Sequence, residues 1–525
     1  MSLAKKLVHE RFLENAVKMP DRTCFVIEKK SYSYSKVANT AKKWANALVN
    51  QNNNQPLKRI GIFGYKSEEV YISILSSLLI GATFVPLNPK FPKDKLSEIL
   101  LEANLDAIIV DINNFVLLSE IVEQLDGKLP KTPTIFCPNA LAINESIPDY
   151  SNDLNRNIRN NNASSIAYIM FTSGSTGKPK GVPISHENLN HFLDFCQQKY
   201  EIRPNDRLTQ TFDHTFDLAI FDIFMAWSNG ACFYVMKDLE IISPIKFINE
   251  NKITIWFSVP SVISLLIKQG ILKSEIFPTL RLSLFCGEPL YKKHAELWAK
   301  SANNSKVENL YGPTELTIAC ASYTFDPKIN DNGNIVPIGK VFDGMSFKII
   351  GEDGEEKKLG EVGELCISGP QTFKGYINNI DATRENLVKF NSSEKIFYRT
   401  GDLVKELEDL NLIYIGRKDT QIKINGYRIE CGEIEAKILE NSEVSSAAVL
   451  PWPVENNINK GIVAFILGED IKLDELNKDL EKKLPWYMHP NEFIILDEFP
   501  LNSNGKIDRN SLKNSLEKRN LKNAN

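Results

Sequence analysis

Little in this sequence could build a metal centre or a redox site. Its eight cysteines are scattered, with no C-x-x-C pair and no cysteine–histidine cluster at zinc spacing. That pattern excludes a zinc ribbon or a thioredoxin-type motif and reads as reduced, mostly buried thiols of a cytoplasmic protein. Histidine is equally sparse: His186, His191, His214, His294 and His489 are widely separated and imply no metal. A basic excess is missing too. The formal net charge is −4, which argues against a general nucleic-acid binder. No apolar run is long enough to span a bilayer, because the greasiest stretch, 70–87, is broken by Ser76, Ser77, Gly81 and Pro86. Lys5, Lys6, Glu10 and Arg11 stand ahead of any long apolar run, so no signal peptide is visible. There is no internal repeat.

What the chain does have is a glycine- and hydroxyl-rich loop directly after an apolar strand. Ile166-Ala167-Tyr168-Ile169-Met170-Phe171 runs into Thr172-Ser173-Gly174-Ser175-Thr176-Gly177-Lys178-Pro179-Lys180-Gly181. Such a loop aims backbone N–H groups and hydroxyls at an anion, and lysine adds a point charge for phosphate. It is not the phosphate loop of the nucleotide hydrolases. Thr172 occupies the first glycine position of that motif, and Pro179 stands where a hydroxyl must hold magnesium.

With 525 residues, 43% hydrophobic and 24% charged, the chain is a globular protein of two or more domains. Apolar spacing predicts a helix over 37–48 capped by Ser35, then strand 59–64, helix 67–79, strand 82–86, helix 93–103 and strand 106–110. After the loop, a helix from Ser185 to about Gln198 is followed by strands at 232–236, 254–257 and 281–285, with helices at 244–250 and 261–269 between them. This alternation predicts an α/β fold with doubly wound parallel sheets. From about Asn332, short strands such as 347–350 and 363–368 point to a β-rich subdomain. Past Asp419 the pattern resets to a small α+β unit, with helices at 433–439 and 473–483 and strands at 445–450, 462–467 and 492–496. Domains of 1–418 and 419–525 follow, the second small and mobile.

Downstream motifs add chemistry. Tyr311-Gly312-Pro313-Thr314-Glu315 offers a ring for a nucleobase, a hydroxyl for a phosphate oxygen and a carboxylate for magnesium. Tyr398-Arg399-Thr400-Gly401-Asp402 supplies an acid suited to ribose hydroxyls, and Gly416-Arg417-Lys418-Asp419 follows it. Asn504-Gly505-Lys506-Ile507-Asp508 places a lone lysine on a glycine turn.

Taken in order, these motifs resemble the adenylate-forming superfamily, which includes acyl-CoA synthetases, luciferases and peptide-synthetase adenylation domains. The likeness extends through Tyr32-Ser33-Tyr34, Gly81-Ala82-Thr83-Phe84-Val85-Pro86-Leu87, Gly363-Glu364-Leu365, Gln421 to Glu430 and Leu484-Pro485-Trp486-Tyr487-Met488. The resemblance implies ATP and Mg2+ as cofactors, an acyl-adenylate formed with loss of pyrophosphate, and transfer of the acyl group to a thiol. It implies that the loop Thr172, Ser173, Gly174, Ser175, Thr176, Gly177 and Lys180 holds the β- and γ-phosphates. Tyr311 would stack on the adenine with Gly287 and Glu288 lining it, Asn309 and Gly312 would also bind ATP, and Asp402 and Arg417 would bind the ribose. Thr314 and Glu315 would be catalytic with Lys506, and Glu315 would hold the magnesium. Asp419 would be the hinge about which the C-terminal domain swings.

Phe216-Asp217-Leu218-Ala219-Ile220-Phe221-Asp222 matches the family's substrate-pocket motif. Asp217 falls where amino-acid-activating members pair with the α-ammonium; a helix-capping carboxylate is the alternative. Asp222 is expected to be a cap-like structural residue, and His214 a packing residue rather than a gate. The remaining pocket positions, Leu218, Phe221, Ser258, Leu284, Cys286, Leu310, Ile318 and Ala319, carry no charge and suit a small apolar side chain. Phe216-Asp217-Leu218 and Phe285-Cys286-Gly287-Glu288 are most similar to stand-alone D-alanine–carrier protein ligases, from which Phe221 and extra asparagine-rich loops depart. L-alanine, glycine and serine stay open as substrates. The polar tail 510–525 carries no carrier domain, so a separate phosphopantetheine carrier protein is the expected partner. An acyl- or aryl-CoA synthetase and a non-catalytic nucleotide-binding homologue are the competing readings.

Overall fold

Strands made of near-continuous apolar residues, such as Ile255–Ser258 and Leu282–Phe285, must be covered on both faces. The computed structural model describes residues 6–53, 55–139, 161–174, 178–328, 334–391, 393–455, 458–501 and 507–523. These divide into two compact units. The first comprises Met1–Pro89, Ile99–Phe171 and Gly181–Lys418; the second comprises Lys90–Glu98, Thr172–Lys180 and Asp419–Asn525.

In the first unit a nine-stranded sheet runs, edge to edge, through Lys340–Val341, Ala321–Phe325, Lys306–Tyr311, Leu282–Phe285, Ile255–Ser258, Arg207–Gln210, Cys232–Val235, Thr23–Ile27 and Lys30–Ser33. The strands from Lys306–Tyr311 to Thr23–Ile27 are mutually parallel, and the antiparallel pairings lie at the two margins. A six-stranded sheet orders Thr134–Phe136, Ala107–Val110, Arg59–Phe63, Thr83–Leu87, Ile166–Thr172 and Lys180–Ser185. Period-two alternation splits the nine-stranded sheet between two cores. Phe257 and Leu284 join the cluster shared with the six-stranded sheet, whereas Trp256 and Phe285 join Trp298 and Ile263 on the other face. The β-rich subdomain is a five-stranded antiparallel sheet built from Ser346–Ile350, Val362–Ser368, Leu387–Lys389, Ile396–Glu406 and Leu412–Arg417.

Two helices show how local sequence sets these elements. Tyr34–Gln51 starts one turn earlier than its apolar spacing predicts. Ser33, in extended conformation, is the cap and accepts from the Lys36 N–H at 3.2 Å, so Ser35 already lies inside the first turn. Leu218–Asn229 has no polar face. Every residue from Leu218 to Trp227 is buried, which marks a helix enclosed on all sides, and it ends at Gly230 in the left-handed conformation.

The second unit is α+β. Its sheet orders Val444–Pro451, Ile462–Gly468 and Glu492–Ile495, with helices Cys431–Ile438, Leu473–Lys483 and Arg509–Asn523. The sheet again separates two cores: Val449 and Ala464 face Ile434 and Leu480, while Ala448 and Phe465 face Leu512 and Leu516. Among the described residues no helix is long and apolar enough to cross a membrane.

Candidate active site

The parallel strands deliver most of the expected residues to their carboxyl ends. Tyr311 ends the strand Lys306–Tyr311, and its hydroxyl donates to Asp402 Oδ2 at 2.5 Å. Asp402 lies opposite Arg417 in an antiparallel pair, and the guanidinium donates to Asp402 Oδ1 at 2.8 Å and to the Thr400 carbonyl at 2.9 Å. A buried acid is thus held by a phenol and a guanidinium at once, an arrangement whose charge-assisted bonds fix its orientation. Burial, and then the Asp402 charge, push the Tyr311 phenol well above its usual range. Asn309, on the same strand, donates to the carbonyls of Val336 at 3.2 Å and Pro337 at 2.8 Å. Glu288 accepts from the N–H of Ser261 at 2.9 Å, so its carboxylate sits on the first turn of the helix Ser261–Lys268.

Beyond Tyr311 the chain makes a tight turn through Gly312. A Cβ there would lie 2.5 Å from the Ala319 Cα, so only glycine permits the approach. Thr314 and Glu315 follow in a single 3-10 turn, and the buried Glu315 carboxylate accepts from the Tyr376 hydroxyl at 2.7 Å. Next come two residues in the left-handed region, Thr317 at φ 60° and Ile318 at φ 73°. For a β-branched side chain this conformation is strained. Gln371, itself fully buried, pins it: its amide donates to the carbonyls of Leu316 at 3.0 Å, Thr317 at 3.4 Å and Ala319 at 2.7 Å.

No group of three or more metal-ligating side chains occurs among the described residues. The donors present, the Thr314 hydroxyl and a single carboxylate oriented by Tyr376, are hard oxygen ligands. They fit a magnesium ion that arrives with phosphate and retains water, rather than an all-protein metal cage.

Of the expected substrate-pocket residues, Leu218, Phe221, Leu284, Cys286, Leu310, Ile318 and Ala319 are buried, with Tyr311, in the large hydrophobic core of the first unit. Phe221 is fully enclosed, its ring edge-on to Phe257 at 5.1 Å and to Phe192 at 6.1 Å between centroids. Ser258 is the exception. It lies two residues after Trp256 on the same face, accepts from the Trp256 indole at 2.9 Å and donates to the Val259 carbonyl at 3.1 Å.

Asp217, 8% exposed, occupies the N-cap position of Leu218–Asn229, yet its backbone is helical and its side chain caps no N–H. The capping alternative therefore does not describe it. Its charge, after burial, contributes to raising the phenol of Tyr168. The turn before it is tied down by Asp213, which accepts from the Thr215 N–H at 2.7 Å, from the Thr215 hydroxyl at 2.8 Å and from the Asn88 amide. His214 is buried beside it, with Nε2 3.3 Å from the Ile62 carbonyl. Asp222 is not a cap. The helix starts at Leu218, which puts Asp222 beyond reach of the first-turn N–H groups. It is fully buried, neither carboxyl oxygen has a hydrogen-bond partner among the described residues, and burial raises its pKa well above 3.8.

In the second unit the Ser173 hydroxyl donates to the Arg428 carbonyl at 3.1 Å, and the Thr172 hydroxyl reaches the Lys180 carbonyl at 3.5 Å. A Cβ on Gly174 would meet the Lys178 carbonyl at 2.0 Å, which explains the glycine. Ser175, Thr176, Gly177 and Lys506 lie outside the described residues. Asp419 is the first residue of this unit after Lys418, and its carboxylate accepts from the Gln421 N–H at 3.1 Å.

Three residues were missed from sequence: Tyr376, Gln371 and Asp213. Each lies beside a recognised motif but acts through a contact distant in the chain, which spacing does not reveal. The histidines also hold a surprise. His9, which sequence spacing left aside, meets His186 with ring centroids 6.1 Å apart, and His186 Nδ1 accepts from the Val8 N–H at 3.2 Å.

A family model described as AMP-binding enzyme matches residues 12–377, and one described as AMP-binding enzyme C-terminal domain matches residues 433–506. The L-proline–[L-prolyl-carrier protein] ligase of Pseudomonas fluorescens is 31% identical over 528 residues, covering 98% of this chain and 100% of that protein. Gramicidin S synthase 2 of Brevibacillus brevis is 32% identical over 508 residues, 95% of this chain but 11% of the synthase. The chain therefore spans about a tenth of that relative's length. Among solved structures, the Vibrio cholerae adenylation domain AlmE, in complex with glycyl-adenosine-5'-phosphate, matches with a TM-score of 0.85 at 30% identity, over 97% of this chain and 98% of that one.

Proposed function

This chain belongs to the AMP-binding enzyme family, and on that premise we propose that it is an AMP-forming ligase that activates a small amino acid. The product, an aminoacyl-adenylate, would pass to the phosphopantetheine thiol of a separate carrier protein in the cytoplasm. The observation that carries this reading is Asp217. A buried acid at the head of the helix that carries Phe221, at the position where amino-acid-activating relatives pair with the α-ammonium, is suited to an amino acid and has no use in a plain acyl-CoA synthetase.

The residues at the pocket positions support a small side chain. They carry no charge, and Phe221 is a large ring packed edge-on to Phe192 and Phe257. Glycine and alanine, D-alanine included, fit that description. The glycyl-adenylate in the AlmE complex and the prolyl substrate named for the Pseudomonas ligase are further support for an amino acid.

In the proposed reaction the amino acid carboxylate, already ionised at neutral pH, attacks the α-phosphorus of ATP and pyrophosphate leaves; no general base is required. Tyr311 and the Gly287-Glu288 segment would bound the adenine, and the Asp402–Arg417 pair would accept and orient the ribose hydroxyls. Thr314 would contact a phosphate oxygen. The 172–180 loop would hold the departing pyrophosphate. Magnesium, when bound, supplies positive charge against the phosphates, and Glu315 held by Tyr376 is the residue that would retain it. Lys506 would align the two anions and offset charge growing in the transition state. Residues 1–418 would form the nucleotide and amino acid domain, and 419–525 a lid that swings about Asp419 between the two half-reactions.

Amino-acid-dependent ATP–pyrophosphate exchange tests the reading. A panel of D-alanine, L-alanine, glycine, serine, valine and short carboxylic acids should give highest exchange with a small amino acid. Equal exchange with a carboxylic acid lacking the amine overturns the role given to Asp217.

A further inference from the structure

The strained turn after Glu315 is held in place by one side chain from another element. Thr317 and Ile318 both have positive φ, and neither is glycine, so the turn is not a conformation this segment adopts by preference. Gln371 donates to three of its carbonyls, Leu316, Thr317 and Ala319. The Thr317 hydroxyl returns a bond to the Gln371 carbonyl at 2.7 Å, and the Gln371 amide oxygen lies 3.1 Å from His191 Nδ1. Every polar atom of this fully buried amide therefore has a use, and most of that use is spent on one turn. The turn carries Ile318 and Ala319, two of the positions that match the family's substrate pocket, both fully buried in the core. Glu315, by contrast, has anchors of its own, the Tyr376 hydroxyl and the Phe373 N–H, which reaches the Glu315 carbonyl at 2.9 Å.

We infer that Gln371 is a positioning residue for amino acid selectivity. By pinning the left-handed turn, it sets where the Ile318–Ala319 wall of the pocket stands, and so which side chains the pocket admits. The inference rests on the amino-acid-activating reading above. At the nucleotide end the side chains of Tyr311, Asp402 and Arg417 have anchors in one another, although the Cys320 N–H beyond the turn donates to the Tyr311 carbonyl at 2.7 Å.

The test uses the full-length chain and Gln371→Met, which keeps the volume and removes the donors. With the amino acid that gives the highest exchange in the panel, KM for the amino acid should rise about tenfold, the scale of losing a buried hydrogen bond and leaving its acceptors unpaired. Discrimination between that amino acid and valine should narrow by a similar factor, while KM for ATP stays within about twofold. A structural role alone would lower Tm and leave the discrimination ratio untouched, and that result overturns the inference. So does an equal rise in both KM values. A second arm needs no activity. Glycine adopts positive φ without strain, so Thr317→Gly in the Gln371→Met background should recover much of the Tm lost, whereas in the otherwise native protein it should recover none. Failure of that recovery shows that Gln371 does not pin the turn. Absence of exchange with every amino acid in the native enzyme would instead refute the functional reading on which selectivity depends.

Discussion

The ends of this site proposed to take the nucleotide and the amino acid are built by opposite means. At the first, Asp402 is already satisfied by the Tyr311 hydroxyl and the Arg417 guanidinium, so polar groups are prepaired before any ligand arrives. At the second, the positions proposed to line the pocket, Phe221, Leu284, Ile318 and Ala319, are buried and apolar, and Asp217 stands at the head of the helix that carries Phe221. The contrast teaches where tolerance lies. A prepaired polar grip recognises one ligand by its hydrogen bonds and gains little from altered shape. An apolar wall discriminates by volume, where one methylene is worth about 1–3 kcal/mol, and it can be retuned by single substitutions.

Five substitutions probe that contrast; four should descend in order of effect, and Lys180→Ala serves as the comparison for the first. Lys506→Ala removes the group proposed to join the two ends. Adenylate formation should fall on the order of a thousandfold, with transfer from supplied adenylate spared, whereas Lys180→Ala should cost about tenfold. Measuring the two half-reactions separately checks this, and the reverse ranking would exchange the roles of the lysines. Asp217→Asn should lower kcat/KM for the amino acid by about 3–5 kcal/mol, the loss expected when one partner of a buried ion pair is removed. KM for ATP should not move; if it does, the two ends are not separable in the way described. Phe221→Ala should cost about 3 kcal/mol of stability and shift the exchange profile toward branched side chains. Chemical denaturation paired with the amino acid panel reads both. Tyr311→Phe should have the smallest effect, about 1 kcal/mol, seen as a higher KM for ATP with an unchanged amino acid profile. A changed profile there would break the division between the ends.

The same contrast explains what was legible in the sequence. Tyr311 and Arg417 end their strands beside Gly312 and Gly416, Asp402 follows Gly401 and Glu315 lies just past Gly312-Pro313, and polar residues so close to glycine or proline stand out against an apolar background. The helices Lys93–Ala103 and Leu473–Lys483 were readable to the residue, because their apolar positions follow helical spacing against charged neighbours. The pocket helix Leu218–Asn229 was not, since a helix buried on all sides has no periodicity to detect. The Ser258 hydroxyl was assigned to the pocket, but strand alternation turns it to the Trp256 side. Asp222 was taken for a cap because helix starts are the least certain feature of a sequence, and a shift of a few residues turns a cap into a core acid. Gln371 and Tyr376 act across 52 to 61 positions of chain, and nothing local announces that.

Asp222 has a consequence for the proton inventory of folding. Its carboxyl has no hydrogen-bond partner among the described residues and burial raises its pKa, so the folded chain holds the proton to higher pH than the unfolded chain does. The folded pKa is raised above 3.8, so the position is most comfortable below that value and becomes a growing liability as pH climbs, by about 1.4 kcal/mol per pH unit until the folded pKa is reached. Replacing it with leucine would return that free energy and flatten the alkaline side of the stability profile. The helix that carries Asp217 and Phe221 therefore holds, one residue beyond Phe221, a reserve of robustness that redesign of the pocket can draw on.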